Sequence, residues 1–377
     1  MTPTATLPPP CVYLRAADSW QRRAPEQAGF DPGALQEAVV FAEANETPFP
    51  RDLRAHLESG YFEAAPDNAV IGPIRPRGAP NGMLVRQGRM VASWGDTRQV
   101  DPIFSVAKSY LSLLAGIAHA DGLIPDLDAP VGLLVKDGGF EGTHNGAVTW
   151  RHLLQQTSEW QGTLFGKSDI IDRGRSLVTE GRGPKGDVRA LQAPGTYWEY
   201  NDVRVNRLSL ALLRVFRRPL PEVFAERIMA PIGASNDWEW HGYDNSFVEA
   251  DGKTLQSVPG GSHWGGGVFV HAEDQARIGL LALHRGLWGE QRILPDHWFS
   301  QSLTPCSLNA SYGFLWWLNT LRARTPSAPA SSFFAVGAGG NITWIDPEHN
   351  LVAVLRWTDP AAMNGFIARV LAALTEL

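Results

Sequence analysis

Ser105 and Lys108 are the residues whose types and spacing most directly suggest chemistry. They open the stretch Phe104 to Ala120, FSVAKSYLSLLAGIAHA, which is nearly all apolar or small. Apolar residues all round mark a helix buried between layers. On a helix, positions i and i+3 share a face, so the Lys108 amine can reach the Ser105 hydroxyl. A serine at a helix start also has its own N–H free to help bind an oxyanion. A buried lysine with little charge compensation titrates below its ordinary range and can act as a base; arginine cannot. Only five of the 33 basic residues are lysines, so one on this helix is informative.

Tyr200 is the second candidate, in Pro194 to Asp202, PGTYWEYND. A Pro-Gly turn and an aromatic run before a helix put the phenol on a loop edge, where it could relay a proton. The third is Val336-Gly337-Ala338-Gly339-Gly340-Asn341, after the β-rich run SFFAV. Gly337 and Gly339 let the backbone approach a substrate closely, and such loops leave N–H groups pointing outward. Other chemistries find little support. The chain has no Gly-x-Ser-x-Gly elbow, Gly260-Gly261-Ser262-His263-Trp264 being the nearest miss, and no phosphate loop or His-Glu-x-x-His pair. The ten histidines are scattered.

The elements that must position these residues are legible in outline. Asp31 to Glu46 reads as a helix with proline in its first turn, and Met83 to Trp94 as a hairpin about Gln87-Gly88. Leu53 to Arg77 is irregular, and Thr254 to Gly267 is a Gly-rich loop. VTWRHLLQQT and VNRLSLALLRVF are helical in pattern, as are Glu273 to Arg285 and Pro295 to Gln301. Ser332 to Val336, Ile342 to Ile345 and Leu351 to Trp357 form an antiparallel meander, and Ala361 to Leu377 a closing amphipathic helix. Strands near both ends with helices between predict an α/β (α+β) fold. Residues 1–125 and 250–377 form its α/β domain, and 126–249 an inserted, mostly helical domain.

The 377 residues, 44% hydrophobic and 19% charged, suffice for a full core. A net charge of -6 argues against nucleic acid as a partner. No apolar run reaches membrane-spanning length, and the Pro-rich, charged start does not fit a secretory signal, so a cytoplasmic, non-membrane protein is expected. Cys11 and Cys306 are too few for a disulfide framework or a zinc cluster, and read as reduced structural thiols.

Ser-x-x-Lys, a tyrosine motif further on and a Gly loop on a late strand together resemble the serine β-lactamase and penicillin-binding-protein superfamily. The likeness is to its class C-like branch of esterases and 6-aminohexanoate-dimer hydrolases, and covers roughly residues 80 to 377. VTWRHLLQQTSEW is similar to that branch's helix ending in Thr-Ser-Gly, with Glu159 in the glycine's place. HWGGGVFVHAEDQARIGLLAL, SYGFLWW and NITWIDPEHNLVAVLRW resemble it as well.

The resemblance implies a central antiparallel sheet flanked by helices. It makes Ser105 the acyl nucleophile, Lys108 its base and Tyr200 the shuttle to the leaving group. The oxyanion would be held by the backbone N–H groups of Ser105 and Ala338. No metal or cofactor is implied. Two departures stand out. Asp202 replaces the asparagine of Tyr-x-Asn, which would alter the charge near Lys108 and affect substrate recognition. The Gly loop lacks the usual Lys- or His-Thr-Gly, and Lys253-Thr254-Leu255 lacks both glycine and strand, which argues against penicillin-type substrates.

The expected reaction is hydrolysis of a small, fairly apolar ester or amide, with acyl transfer to a metabolite as the alternative. A β-lactamase or DD-peptidase, or a non-catalytic binding protein, ranks lower. Trp160, Trp198, Trp264, Trp316, Trp317 and Trp344 lie in or beside the motif segments, and an aromatic-walled pocket is expected from them, with Trp160, Trp264 and Trp316 against the substrate. Oligomeric state cannot be read from the sequence.

Overall fold

The computed structural model describes residues 19–175, 185–186 and 189–375. Cys11 lies outside them; Cys306 is a buried free thiol. The framework is α1 (Pro32–Ala44), β1 (Asn81–Arg86), β2 (Arg89–Trp94), α2 (Val106–Ala120), α3 (Asp202–Phe216), α4 (Ala272–Leu283), β3 (Trp317–Leu318), β4 (Phe333–Gly337), β5 (Asn341–Asp346), β6 (Leu351–Arg356) and α5 (Met363–Ala372). Local chemistry explains their limits. Asp31 caps α1 by accepting from the Ala34 N–H at 2.8 Å, and Pro32 occupies the first turn, where it forfeits no bond. Gln87 and Gly88 both take positive φ, 52° and 74°, the backbone that a tight hairpin needs.

The six strands form one antiparallel sheet in the order β3-β4-β5-β6-β1-β2. Pairing of β6 with β1, with Val354 opposite Met83, closes the C-terminal meander onto the N-terminal hairpin. Period-two alternation then splits the core. Met83, Val85, Val352 and Val354 face the side of α2 and α4, while Leu84, Leu351, Ala353 and Leu355 face that of α1 and α5.

Residues 126–249 carry α3, several short helices and the strand Glu239–His241, which pairs with Gly267–Val270. α3 packs against α2, and Val203, Leu208 and Phe224 share one apolar cluster with Leu111, Leu114 and Val352. The hairpin of Phe247–Ala250 with Lys253–Gln256 straddles the boundary expected at 250. Lys253–Gln256 is thus a short strand rather than the start of a loop, but Lys253 and Thr254 are exposed. Leu53–Glu58, expected to be irregular, is a short helix capped by Asp52. Among the described residues no helix is long and apolar enough to cross a membrane.

Candidate active site

Ser105 stands at the N-cap of α2, at the positive end of the helix dipole. Phe104 before it has φ 49°, a left-handed backbone that costs a non-glycine residue about 1 kcal/mol or more. Packing holds that turn: the Phe104 ring is buried among Phe49, Phe62 and Trp357, with centroids 6.2–6.4 Å away. The elbow brings Ser105 to the wall of a pocket of about 590 Å³, part of it open to solvent, while the rest of α2 stays in the core.

Lys108, 1% exposed, donates from Nζ to Ser105 Oγ at 2.7 Å and to the Gly260 carbonyl at 3.3 Å. Its other neighbour is Asp202, whose Oδ1 pairs with the same nitrogen. Burial pushes the ammonium down, but Asp202, with a smaller contribution from Tyr200, outweighs it, and Lys108 titrates above its ordinary value. This corrects the expectation of a lowered lysine, which assumed little charge compensation. Asp202 is correspondingly held well below the usual carboxylate range: burial opposes this, and Lys108, His263 and Arg175 overcome it. Asp202, expected against the substrate, is itself buried and does not line the pocket.

Tyr200 sits on the loop leading into α3. Asn201 caps that helix through the Arg204 N–H at 3.1 Å and anchors the loop by donating to the Asp169 carbonyl at 2.8 Å. The Tyr200 ring stacks on Trp317 at 5.7 Å, with Lys108 Nζ and Arg175 Cζ 4.9 and 5.0 Å from its centroid.

The Gly loop forms the facing edge. A Cβ on Gly337 would lie 2.1 Å from the Ile103 carbonyl and 3.1 Å from the Ser105 nitrogen, so only glycine lets β4 pass this close to the nucleophile. Gly340 has φ 74°, and a Cβ there would strike the Thr358 carbonyl. Asn341 fixes the loop by donating to the Ala338 carbonyl at 2.8 Å, and buried Arg356 donates to Asn341 at 2.7 Å. Gly337, Ala338 and Gly339 line the pocket with Ser105 and Tyr200.

The aromatic wall is built from other residues than expected. Trp160 is buried with its indole N–H on the Gly139 carbonyl at 2.6 Å, and faces a different cavity. Trp264 is buried, donating to the Asp67 carbonyl at 2.9 Å. Trp316 packs edge-on against Phe333 at 5.3 Å. None of the three lines the pocket; Trp317, the first residue of β3, does. Trp344 is core on the α1 side of the sheet, and Trp198 packs behind Trp317. The remaining apolar wall is Phe49, Tyr61 and Phe62, from a segment that carries no motif.

Three polar residues also escaped sequence reasoning. Arg175 and Arg324 line the pocket, so the cations missing from the Gly loop enter from elsewhere. His263 lines it too, 1% exposed in its side chain, stacked on Phe62 with Nδ1 3.0 Å from Asp202 Oδ2. The signal for His263 was the pair Gly260-Gly261 before it. A Cβ on Gly261 would lie 3.4–3.5 Å from Lys108 Nζ, Asp202 Oδ1 and Ser105 Oγ, which places this segment directly over the reacting groups.

Glu63, Asp172 and His263 present ligand atoms within 4.8 Å of one another, a spacing a metal ion would suit. Lys185 Nζ instead lies 2.7 Å from both Glu63 Oε1 and Asp172 Oδ1. Its ammonium supplies the positive charge those carboxylates require.

A serine bonded to a buried lysine thus meets a tyrosine and a glycine strand edge at one pocket. The sequence family agrees: residues 83–375 match the beta-lactamase model, and the chain belongs to that family of hydrolase fold. An uncharacterised protein of Alkalihalophilus pseudofirmus is 22% identical over 285 residues, spanning 70% of this chain and 75% of that one. A beta-lactamase/D-alanine carboxypeptidase from Pseudomonas syringae superposes with TM-score 0.59 at 13% identity, over 91% of this chain and 100% of that one. EstCE1, described as a hydrolase with promiscuous acyltransferase activity, gives 0.58 at 16% over 91% and 99%. A candidate 6-aminohexanoate-dimer hydrolase from Bacillus anthracis gives 0.53 at 18% over 78% and 77%. At such identities these likenesses establish the fold alone.

Proposed function

We propose that the protein is a serine hydrolase of carboxylesterase or amidase type, acting through an acyl-enzyme on Ser105. The observation that carries this is the 2.7 Å bond between Lys108 Nζ and Ser105 Oγ at the wall of a pocket edged by Gly337–Gly339. Ser105 Oγ attacks the substrate carbonyl, and its proton passes to Lys108 once that amine is neutral. The N–H groups of Ser105 and Ala338 hold the oxyanion; such donors are worth ~10²–10³ in rate each. Tyr200 passes the proton to the departing alcohol or amine, and water repeats the sequence to release the acid.

The substrate is a small ester or amide whose apolar part lies among Phe49, Tyr61, Phe62 and Trp317. The missing cation of the Gly loop loses force as an argument against carboxylate-bearing substrates, because two arginines reach the same pocket. Acyl transfer to an alcohol or amine is the second reading, favoured by these apolar walls and by what is said of EstCE1. The reduced Cys306 thiol fits action in the cytoplasm.

The test is labelling with a fluorophosphonate and mapping of the adduct, followed by turnover of short nitrophenyl esters, an amide dimer and a chromogenic cephalosporin, with and without an acceptor alcohol. An adduct on Ser105 and ester or amide turnover are expected. An unlabelled Ser105 would refute the reading, and faster cephalosporin than ester turnover would reassign the substrate.

A further inference from the structure

We propose that Asp202 is a positioning residue of this reaction: its carboxylate clamps Lys108 against Ser105 as an ammonium ion, Arg175 and His263 clamp that carboxylate in turn, and turnover begins only when the clamp releases a proton. The inference rests on the acyl-enzyme reading above and adds the group that controls its base.

Each oxygen of the carboxylate faces a cation. Lys108 pairs with Oδ1, while Oδ2 lies 2.8 Å from Arg175 Nη1 and 3.0 Å from His263 Nδ1. The backbone N–H of Asp202 donates to Asp172 Oδ2 at 2.7 Å, which fixes the main chain at the head of α3. His263 Nδ1 also lies 3.4 Å from Glu63 Oε1. Its Nε2 faces Arg175 Nη2 at 3.4 Å and accepts from it. The ring is held by Phe62 at 4.0 Å.

The charges around Lys108 come from every wall. Asp202 lies on α3, Asp172 on the short helical turn Asp169–Asp172, Arg175 and Lys185 on the segment between that turn and α3, and Glu63 on the N-terminal segment. With Lys108 protonated, the three cations match the three carboxylates. Tyr200, Tyr243 and Tyr312 are the neighbouring phenols; burial pushes the last two well above the ordinary tyrosine range, so they stay neutral over the working pH. Exchanging Asp202 for a neutral residue would leave an excess positive charge in a buried site, and Lys108, the cation that loses its carboxylate partner and can titrate, is the group that relieves it by shedding a proton.

The step balances as follows. Lys108 as ammonium gives one proton to solvent. Its free amine takes the Ser105 hydroxyl proton while Oγ bonds to the substrate carbon. The resulting ammonium returns that proton through Tyr200 to the leaving alkoxide or amine as the substrate's C–O or C–N bond breaks. Activity should therefore rise with pH along a limb set by Lys108.

The experiment is the pH profile of kcat/KM for a nitrophenyl ester, from about pH 6 to about pH 11, in the wild type, Asp202→Asn and Asp202→Glu, the wild-type rate still rising about tenfold per unit at its upper end. Asp202→Asn should move the limb to lower pH by about one unit or more, roughly a tenfold gain in neutral lysine at any pH below it. Asp202→Glu, which keeps the charge, should leave the limb nearer its original place. A direct readout covers failure of a variant to fold: with five lysines in the chain, 13C-labelled lysine side chains can be followed singly by NMR in the wild type, with Lys108 assigned from Lys108→Ala. Titration of Lys108 above 10.5 supports the clamp, and titration below it overturns it. A Ser105 that labels normally while Asp202→Asn leaves the limb unmoved also overturns it. A Ser105 that never labels overturns instead the reading on which it rests.

Discussion

Two buried carboxylates flank the head of α3, and each stands where the related motif has an uncharged residue. Asp202 occupies the asparagine place of Tyr-x-Asn, and Glu159 the glycine place of Thr-Ser-Gly. Both are gripped by cations: Asp202 by Lys108 and Arg175, Glu159 by Arg189 and Arg204 at 2.7 Å each. The surroundings differ. One partner of Asp202 is a lysine bonded to the nucleophile at the pocket wall. The partners of Glu159 are arginines, which hold their protons at all working pH, and none of the three lines the pocket. The same ion-pair chemistry thus controls a proton in one place and fixes a backbone in the other. What decides is whether the cation can titrate and whether it touches a reacting atom.

The sharpest way to break this contrast is Lys108→Arg. It preserves the charge that Asp202 needs but removes the capacity to deprotonate. Ester turnover should fall by about 10²–10³-fold, the size of a lost general base, with no recovery at alkaline pH. Fold stability, read by denaturant midpoint, should change much less. A variant with near-normal rates would show that the Asp202 side is as purely structural as the Glu159 side.

The mirror experiment is Glu159→Gln. Removing one partner of a buried ion pair costs about 3 kcal/mol, because Arg189 and Arg204 keep their charge without the carboxylate. Turnover per folded molecule should be nearly unchanged. The pH dependence has a definite sign. Burial would raise Glu159, but Arg189 and Arg204 bring it down to about 2, from 4.5 in an unfolded chain. A carboxyl lowered on folding stabilises fully above its unfolded value and loses that contribution as pH falls through the folded one. Wild-type and variant midpoints should lie furthest apart near neutrality and converge between about pH 4.5 and pH 2. A constant gap across that window would mean that charge is not what Glu159 contributes.

The contrast also marks how far the sequence could be read. The sheet and its main helices follow from apolar period and turn residues, which act locally. Ser105, Lys108 and Tyr200 were legible because spacing along one helix, or entry into one, places them. Phe49, Tyr61, Arg175 and Arg324 reach the pocket only through long-range packing of segments without a period of their own. The tryptophans misled for a related reason: proximity to a motif in sequence says nothing about which way a side chain faces, and of the neighbours Trp316 and Trp317 only the second reaches the pocket. Lys108 was mistaken in its electrostatics because Asp202, 94 positions away, had no visible distance to it. The Glu159 substitution was visible as a departure, but its cause required knowing the backbone angle.

That angle gives the finest test. Glu159 has φ 47°, in the left-handed region that glycine enters freely and a Cβ disfavours by about 1 kcal/mol. A glycine here would avoid the strain; this glutamate accepts it and offsets it with the two arginines. Glu159→Gly and Glu159→Ala both lose the ion pair, so they share that cost, and the difference between them isolates the turn. Glu159→Gly should be the more stable by about 1 kcal/mol in denaturant unfolding, since alanine retains the Cβ without the carboxylate that held it. Equal stabilities would mean that the turn relaxes once the arginines let go, and that Glu159 imposes the left-handed backbone rather than enduring it.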